Sequence, residues 1–342
     1  RVAEKILDRL GPPFDIDGQL LATSFSIGIA LFPDDGKCAE SLMKNADTAM
    51  YHAKESGRNT YRFFDEVMNI NALERLQLEN ALRQALDNQE FCLYYQPQVN
   101  LASGRIIGVE ALLRWFNGVL GGVPPSSFIP LAEECGLIVP IGRWVLHQAC
   151  RQAKAWQAQG YAPIPVAVNL SAMQFRRADM VATVREALEA SGLSPQWLEL
   201  ELTESLLMQS GAQVENTLAE LKALGVRMSI DDFGTGYSSL KYLADFPVDV
   251  LKIDQSFVAR LHEQSESLYV VQAMVMLADG LNIETVAEGV ETEDQRAHLL
   301  AIGTNHLQGY LLARPQPAAA LAEIVERFSA AAQETSQLHW RS

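Results

Sequence analysis

The sequence predicts an α/β chain: a modified TIM-type (β/α)8 barrel with an antiparallel first strand, preceded by a partial α/β fragment. Three observations carry this. From Phe91 onward, eight short apolar or β-branched runs recur over about 240 residues, most of them separated by helical patterns. Only about nine residues, with a Ser103-Gly104 turn, join the first two runs, and a parallel crossover needs about a dozen or more, so those two strands form a hairpin. Finally, the 342 residues are 48% hydrophobic and 20% charged, which is enough apolar content for a core and excludes global disorder.

The elements follow in order. Ser24–Phe32 is β-branched and aromatic, a buried strand ended by Pro33–Gly36. Ala39–Ser56 has Leu42, Ala46, Ala49, Met50 and Ala53 at helical spacing, with Gly57 as a stop. Asn59–Phe64 is a short strand. Residues 1–64 supply too little strand for an independent sheet domain. Residues 65–90 lack Pro and Gly and carry a stripe of Leu73, Leu76, Leu82 and Leu86, a connecting helix that either packs on the next domain or acts as a signalling lever. The barrel spans 91–330, with strands at Leu93–Val99, Val109–Trp115, Val166–Ser171, Leu198–Glu204, Arg227–Gly234, Asp249–Gln255, Glu284–Val290 and His306–Leu312. Helices are expected at Ile141–Gln157, Met180–Ala190, Val214–Leu224, Leu268–Leu281 and Thr292–Ile302, and residues 331–342 form a tail.

Barrels place chemistry at the C-terminal ends of their parallel strands. Those strands carry Glu110 and then Arg114, Asn169, Glu201 and Glu204, Asp231-Asp232, Lys252, Glu288 and Glu291, and Gln308. Charges among Val, Leu and Ile cost several kcal/mol unless paired or bound to a metal. So many acids with one lysine and one Asn cannot neutralise each other, and all-oxygen donors favour two Mg²⁺ or Mn²⁺ over Zn²⁺. Asp231 and Asp232, adjacent on a strand end, are expected to point to different sides, one bridging two metals and the other serving one. A metal pair of that kind would polarise a water and stabilise the leaving oxygen of an in-line phosphoryl displacement.

In their order, Glu110-Ala111-Leu112, Asn169-Leu170-Ser171, Glu201-Leu202-Thr203-Glu204, Asp231–Gly236, Lys252-Ile253-Asp254, Glu288–Glu291 and Gln308-Gly309-Tyr310 resemble the EAL domain, the cyclic di-GMP phosphodiesterase family. The resemblance implies cleavage of cyclic di-GMP to linear pGpG. It implies that Glu110, Asn169, Glu201 and Asp231 hold one metal, and that Asp231, Asp232 and Glu288 hold the second. Lys252 would contact the nucleophilic water, Arg114 a phosphate, and Gln308 would orient a water or a metal-bound ligand; Glu110, Asp231 and Glu288 join Lys252 in the catalytic set. Glu204 and Glu291 would support these groups from behind, Glu204 by steadying the loop after the fifth strand. That loop and the helix after it, starting near Ser238, would mediate a homodimer. Calcium, larger and looser in geometry, is expected to inhibit. The segment Phe116–Gly122, Gln255 and Asn305 depart from the family pattern without removing a metal ligand. An inert cyclic di-GMP receptor is the alternative. Upstream, Ser26-Ile27-Gly28-Ile29-Ala30, Ala46–Tyr51, Ala53-Lys54 and Gly57-Arg58-Asn59 resemble the C-terminal part of a GGDEF (diguanylate cyclase) domain. The signature of that family is absent from this chain, so cyclase activity is not expected.

The net charge of −15 argues against long nucleic acids, whose backbones need a Lys/Arg surface. It leaves room for a small anion wherever metals, Lys252 and Arg114 reverse the local sign. Four cysteines (Cys38, Cys92, Cys135, Cys150) show no CxxC pairing, which favours a reducing, cytoplasmic setting, and the resemblance to the EAL family implies a bacterial one. His147, His262, His298 and His306 have no ligand-like partners at helical spacing and read as structural. No apolar run reaches the roughly 18 residues of a membrane span, so no membrane contact is expected within this stretch. The chain opens at Arg1 inside a helical pattern, which reads as a piece of something longer that could carry an anchor upstream.

Overall fold

The structure, a computed structural model, describes residues 2–12, 14–16, 19–21, 23–55, 59–177, 179–204, 206, 212–234, 243, 246–261 and 266–320. The chain divides into two units, Arg1–Gln84 and Ala85–Ser342.

The first unit holds α1 (Val2–Leu10), β1 (Phe14–Ile16), β2 (Gln19–Leu21), β3 (Ile27–Ile29), α2 (Ala39–Glu55), β4 (Tyr61–Phe63) and most of α3 (Glu66–Ala85). The strand expected at Ser24–Phe32 is only β3, paired in parallel with β4. Helix α2 lies close against it: a Cβ on Gly28 would sit 1.9 Å from the Ala46 carbonyl oxygen, so only glycine permits that approach. The small β1–β2 hairpin is antiparallel and gave no period-two signal long enough to read.

The second unit is built on β5 (Phe91–Asn100), β6 (Ile106–Asn117), β7 (Gly121–Val123), α4 (Pro125–Glu134), α5 (Ile138–Ala158), β8 (Val166–Leu170), α6 (Ala172–Arg177) and α7 (Met180–Ser191). It continues through β9 (Leu198–Thr203), α8 (Ala212–Ala223), β10 (Arg227–Phe233), β11 (Val250–Ile253), α9 (Gln255–Val258), α10 (Glu266–Gly280), β12 (Glu284–Ala287), α11 (Glu293–Ile302), β13 (His306–Leu307) and β14 (Gln316–Pro317). Strands run in the order β5-β13-β12-β11-β10-β9-β8-β6, and β6 pairs back onto β5, which closes an eight-stranded barrel. As the short Ser103-Gly104 link predicts, β5 is antiparallel to both neighbours, while β6, β8, β9, β10, β11, β12 and β13 run parallel.

Period-two alternation on β5 sorts its side chains. Phe91 meets Trp115, Phe128 and Trp144 at ring separations of 5.9, 5.9 and 6.1 Å, and Tyr95 packs edge-on against Trp156 at 4.8 Å. These rings bury large apolar areas against the outer helices. The alternate positions, Gln96 and Gln98, are also buried. Helix ends follow their capping residues. Asp179 accepts from the Ala182 N–H to start α7, and Thr292 with Gln295 forms a capping box on α11; Gly192 and Gly303, both at positive φ, end these helices.

Three expected strands are shorter than their apolar runs. Strand β11 stops at Ile253 because the Asp254 side chain accepts from the Ser256 N–H and begins α9. Strand β12 stops at Ala287, two residues before Gly289 at φ 65°. Strand β13 is only His306–Leu307, after which Gln308–Leu311 bonds to the loop around Val290. The segment Phe116–Gly122 is a hairpin turn into β7, held by Asn117 Oδ1, which accepts from the Val119 and Leu120 N–H groups at 2.9 Å each. The four cysteines are unbridged. Among the described residues no helix is long and apolar enough to cross a membrane. The loop 235–242 after the Asp231-Asp232 strand, His262 and the tail 331–342 lie outside the described residues.

Candidate active site

Each barrel strand delivers one or two polar groups to the same end of the barrel. Strand β6 places Glu110, β8 Asn169, β9 Glu201, β10 Asp231 and β11 Lys252; Glu288 and Gln308 follow β12 and β13 directly. Cross-strand register aligns Asn169 with Glu201, and Glu201 with Ser229 on β10.

Lys252 is the hub. Only 1% exposed, its Nζ lies 2.7 Å from Glu288 Oε1, 2.9 Å from Glu201 Oε1, 3.3 Å from Asp231 Oδ1 and 3.9 Å from Glu110 Oε2. Burial alone would lower its pKa, but the four carboxylates outweigh burial and hold it well above the ordinary lysine value. Lys252 therefore stays charged. Burial pushes Glu201 well up, and Glu110, Asp231 and Glu288 add repulsion that Lys252 only partly offsets. Glu288 is pushed up to about 8, first by burial and then by Asp231 and Glu110 against the pull of Lys252. Burial would also raise Glu110, yet Lys252 and the donors Gln308 and Asn169 more than compensate and hold it low. Asn169 Nδ2 donates to Glu110 Oε1 at 2.6 Å, and Gln308 Nε2 donates to Glu110 Oε2.

Asp231, Asp232 and Glu288 bring carboxylate oxygens within 4.8 Å of one another. This corrects the expectation that Asp231 and Asp232 point to different sides. Between Ile230 and Phe233 the β10–β11 register shifts, and Asp232 takes a left-handed φ of 55°, so strand alternation fails there and both acids reach one cluster. The Asp232 N–H donates back to Asp231 Oδ1 at 3.0 Å, which fixes the turn. A non-glycine residue in that region stores strain of the order of 1–3 kcal/mol, and such strain gathers at functional sites.

The remaining expected residues take several positions. Glu204 Oε2 accepts from the Gly234 N–H at 3.0 Å and so tethers the start of the loop after β10. Glu291, at the rim, lines the cleft above the acids together with Glu288 and Gln308; the cleft has a volume of about 230 Å³. Arg114 is not brought into the acid cluster. Its Nη1 donates to the Leu113 carbonyl at 2.9 Å, and its guanidinium lies 5.5 Å from the Tyr94 ring centroid. Sequence reasoning gave no role to Asp254, whose buried carboxyl hydrogen-bonds Asp232 and helps, after burial and Asp231, to raise it. It also missed Gln96 and Gln98. The signal for those two was available: polar residues at alternate positions of an otherwise apolar strand cost free energy unless something inside requires them.

Gly309 is a fixed point of the site. A Cβ there would fall 2.1 Å from the Val290 carbonyl oxygen and 2.3 Å from its nitrogen, both backbone atoms that cannot rotate away. Gly309→Ala is expected to destabilise the second unit by at least about 2 kcal/mol and to displace Gln308. Thermal unfolding checks this; an unchanged melting temperature would contradict it.

Residues 79–315 match the EAL domain family, and residues 1–60 match the diguanylate cyclase, GGDEF domain family. The bifunctional diguanylate cyclase/cyclic di-GMP phosphodiesterase MucR of Pseudomonas aeruginosa is 51% identical over 317 residues, covering 93% of this chain and 46% of that protein. The cyclic di-GMP phosphodiesterase PdeR of Escherichia coli is 40% identical over 327 residues, covering 96% of this chain and 49% of that protein. The chain thus spans less than half the length of these relatives. The solved structure of the PaMucR phosphodiesterase in its c-di-GMP complex superposes with a TM-score of 0.69 at 50% identity, over 72% of this chain and 99% of that one. An EAL enzyme, Bd1971, in its cAMP and cyclic-di-GMP bound form, superposes with a TM-score of 0.70 at 36% identity, over 75% of this chain and 70% of that one. The barrel, its antiparallel first strand and the ring of acids around Lys252 all fall within the matched residues, and the chain belongs to the EAL domain family.

Proposed function

We propose that this chain hydrolyses cyclic di-GMP to linear pGpG through two divalent metal ions. The observation that carries the reading is the convergence of Glu110, Glu201, Asp231 and Glu288 on one buried lysine, beside the Asp231–Asp232–Glu288 cluster, in a chain half identical to a phosphodiesterase solved with c-di-GMP. The donors fit metal ions. Both Glu201 carboxylate oxygens are buried and accept no well-formed hydrogen bond, with only the Lys252 ammonium 2.9 Å from Oε1, and carboxylates with an Asn amide form an all-oxygen set suited to Mg²⁺ or Mn²⁺. Glu110, Asn169, Glu201 and Asp231 would hold one ion, and Asp231, Asp232 and Glu288 the other. The ions, when bound, supply Lewis-acid activation of water and charge neutralisation at the phosphate. Calcium should bind in their place and inhibit.

The chain's own groups then have distinct tasks. Lys252 stays protonated, so it donates a hydrogen bond to the attacking water and cannot be its base. Gln308 orients groups above Glu110, Arg114 meets a phosphate oxygen, and Glu204 and Glu291 brace the cleft. The net reaction adds water across one P–O3′ bond, leaving a 5′ phosphate and a 3′ hydroxyl. The reading extends to a barrel domain over 91–330, a preceding connector over 65–90 whose helix ends at Ala85 rather than running to Glu90, a cytoplasmic setting, and a homodimer through the loop and helix after Asp231-Asp232. Dilution through a demonstrated dimer–monomer transition with unchanged specific activity would refute the catalytic role of that dimer.

The test is incubation of cyclic di-GMP with the protein and Mn²⁺, followed by chromatography. Appearance of pGpG is expected; ligand binding without product would mark an inert receptor instead. Ion binding must also displace protons from Glu201 and Glu288, whose pKa values are raised. The ion held by Glu288 displaces one proton from it, so affinity for that ion is expected to climb about tenfold per pH unit up to about pH 8 and flatten above it. Calorimetry in buffers of different ionisation enthalpy reads the proton release directly, and an affinity independent of pH would show that neither acid is a ligand.

A further inference from the structure

We infer that Gln98, on the antiparallel first strand, is a positioning residue that fixes the Gln308 amide and, through it, the Glu110 carboxylate. Gln98 is 4% exposed, and its Nε2 donates to Gln308 Oε1 at 3.0 Å. Gln308 Nε2 spends its two hydrogens on Glu110 Oε2 and on Gln96 Oε1, the latter at 3.1 Å. Gln96 Nε2 in turn donates to the Ala313 carbonyl at 3.1 Å, which fixes which end of that amide faces Gln308.

Donor and acceptor counting then leaves one arrangement. A flipped Gln308 would set its oxygen against Glu110 Oε2 and Gln96 Oε1, and its NH₂ against the NH₂ of Gln98. Every polar contact of the group would turn repulsive inside a buried pocket, where an unmatched polar atom costs about 1–3 kcal/mol. Gln96 holds the amide from its nitrogen side, and Gln98 is the donor that holds it from its oxygen side. The barrel makes room for this: Gly108 faces Gln98 across the β5–β6 ladder, and a Cβ there would lie 3.0 Å from Gln98 Oε1. The ladder register also shifts immediately after Gln98, a local irregularity of the strand at this position. With Gln308 on Oε2 and Asn169 on Oε1, the Glu110 carboxylate has both oxygens bonded and cannot rotate freely. None of this depends on which substrate the site takes, although the ion readout below rests on the metal reading.

The experiment is a double-mutant cycle on Gln98→Met and Gln308→Met, near-isosteric changes that keep packing while removing the amides. Mn²⁺ affinity is read by calorimetry without substrate, and hydrolysis is read as kcat and KM separately. Gln98→Met, two hydrogen bonds from the Glu110 ligand, is expected to weaken Mn²⁺ up to about tenfold, the lower end of the scale for a ligand's direct partner. The double variant should be no weaker than Gln308→Met alone, because Gln98 acts only through Gln308. Multiplying effects, or unchanged Mn²⁺ affinity in Gln98→Met, would overturn the inference. Gly108→Ala should reproduce part of the Gln98→Met effect with every amide still present. A metal-free readout separates this idea from the metal reading. The side-chain amide protons of Gln308, identified by their absence in Gln308→Met, should shift and lose exchange protection in Gln98→Met. If the protein binds no Mn²⁺, an unmoved Gln308 amide still overturns the positioning role, and a moved one sustains it.

Discussion

Lys252→Met is expected to lower cyclic di-GMP turnover at least about a hundredfold and to make the ion-free protein markedly less stable at high pH. The side chains are similar in length, so packing is kept while the charge is lost. Four carboxylates that now share one ammonium would face each other with no cation among them. Removing one partner from a buried ionic cluster costs about 3–5 kcal/mol unless protons or metal ions take its place. Protons can do so, and this sets the direction of the pH dependence. Glu201 and Glu288 already titrate above the ordinary carboxylate value in the folded protein. Between the unfolded value of about 4.3 and those raised values the folded state binds more protons, so stability falls as pH rises through that window. Losing Lys252 raises both acids further and widens the window. The lysine's own raised pKa acts far above it, so Lys252 stays charged through this window, and its pairs with Glu201 and Glu288 become full ion pairs only as those acids lose their protons. Melting curves without divalent ions should show the variant close to wild type near pH 5 and well below it at pH 8, with Mn²⁺ restoring most of the difference. Turnover within about tenfold of wild type would remove Lys252 from the chemistry.

The barrel was legible because its period is encoded redundantly. Eight apolar runs alternate with helical patterns, and the short Ser103-Gly104 link is enough to require that β5 run antiparallel to its neighbour. What the sequence concealed lies where backbone torsions, not side-chain patterns, decide. Asp232 looks like the next residue of a strand, pointing away from Asp231; a left-handed φ, which asparagine and aspartate tolerate better than most residues, brings its carboxylate to Asp231 and Glu288 instead. The β12 and β13 runs look continuous to Val290 and Leu312, but Gly289 and the Gly309 approach to Val290 bend them into the loop that carries Glu288 and Gln308. Lys252 could be placed in the site from its apolar neighbours, yet its fourfold pairing needed geometry. Gln98 offers in the sequence only the weak signal of a polar residue on an otherwise apolar strand, with no motif to give it a role. Its meaning appears only when Gln308, more than two hundred residues away in sequence, closes the barrel beside it.

Asp231 should be the acid whose loss cannot be compensated by its neighbours, because it belongs to both halves of the site. Its Oδ1 lies 3.3 Å from Lys252, alongside Glu110 and Glu201, and its carboxylate also joins Asp232 and Glu288 within 4.8 Å. Asp232 belongs to the second group alone, exposed at the mouth of the site and raised first by desolvation and then by Asp231. Asp231→Asn keeps size and hydrogen bonding, including an oxygen to accept from the Asp232 N–H, and removes one negative charge from each half. The expected result is a loss of Mn²⁺ stoichiometry from two to at most one per chain, with turnover reduced about a thousandfold. Asp232→Asn, touching one half, should weaken the second ion and leave the first near wild-type affinity. Calorimetric stoichiometry at saturating protein distinguishes the two variants before any substrate is added. Two full-affinity ions in Asp231→Asn would mean that the halves do not share an acid. The cause of any lost turnover would then lie in the turn at Asp232, whose left-handed conformation Asp231 Oδ1 holds in place.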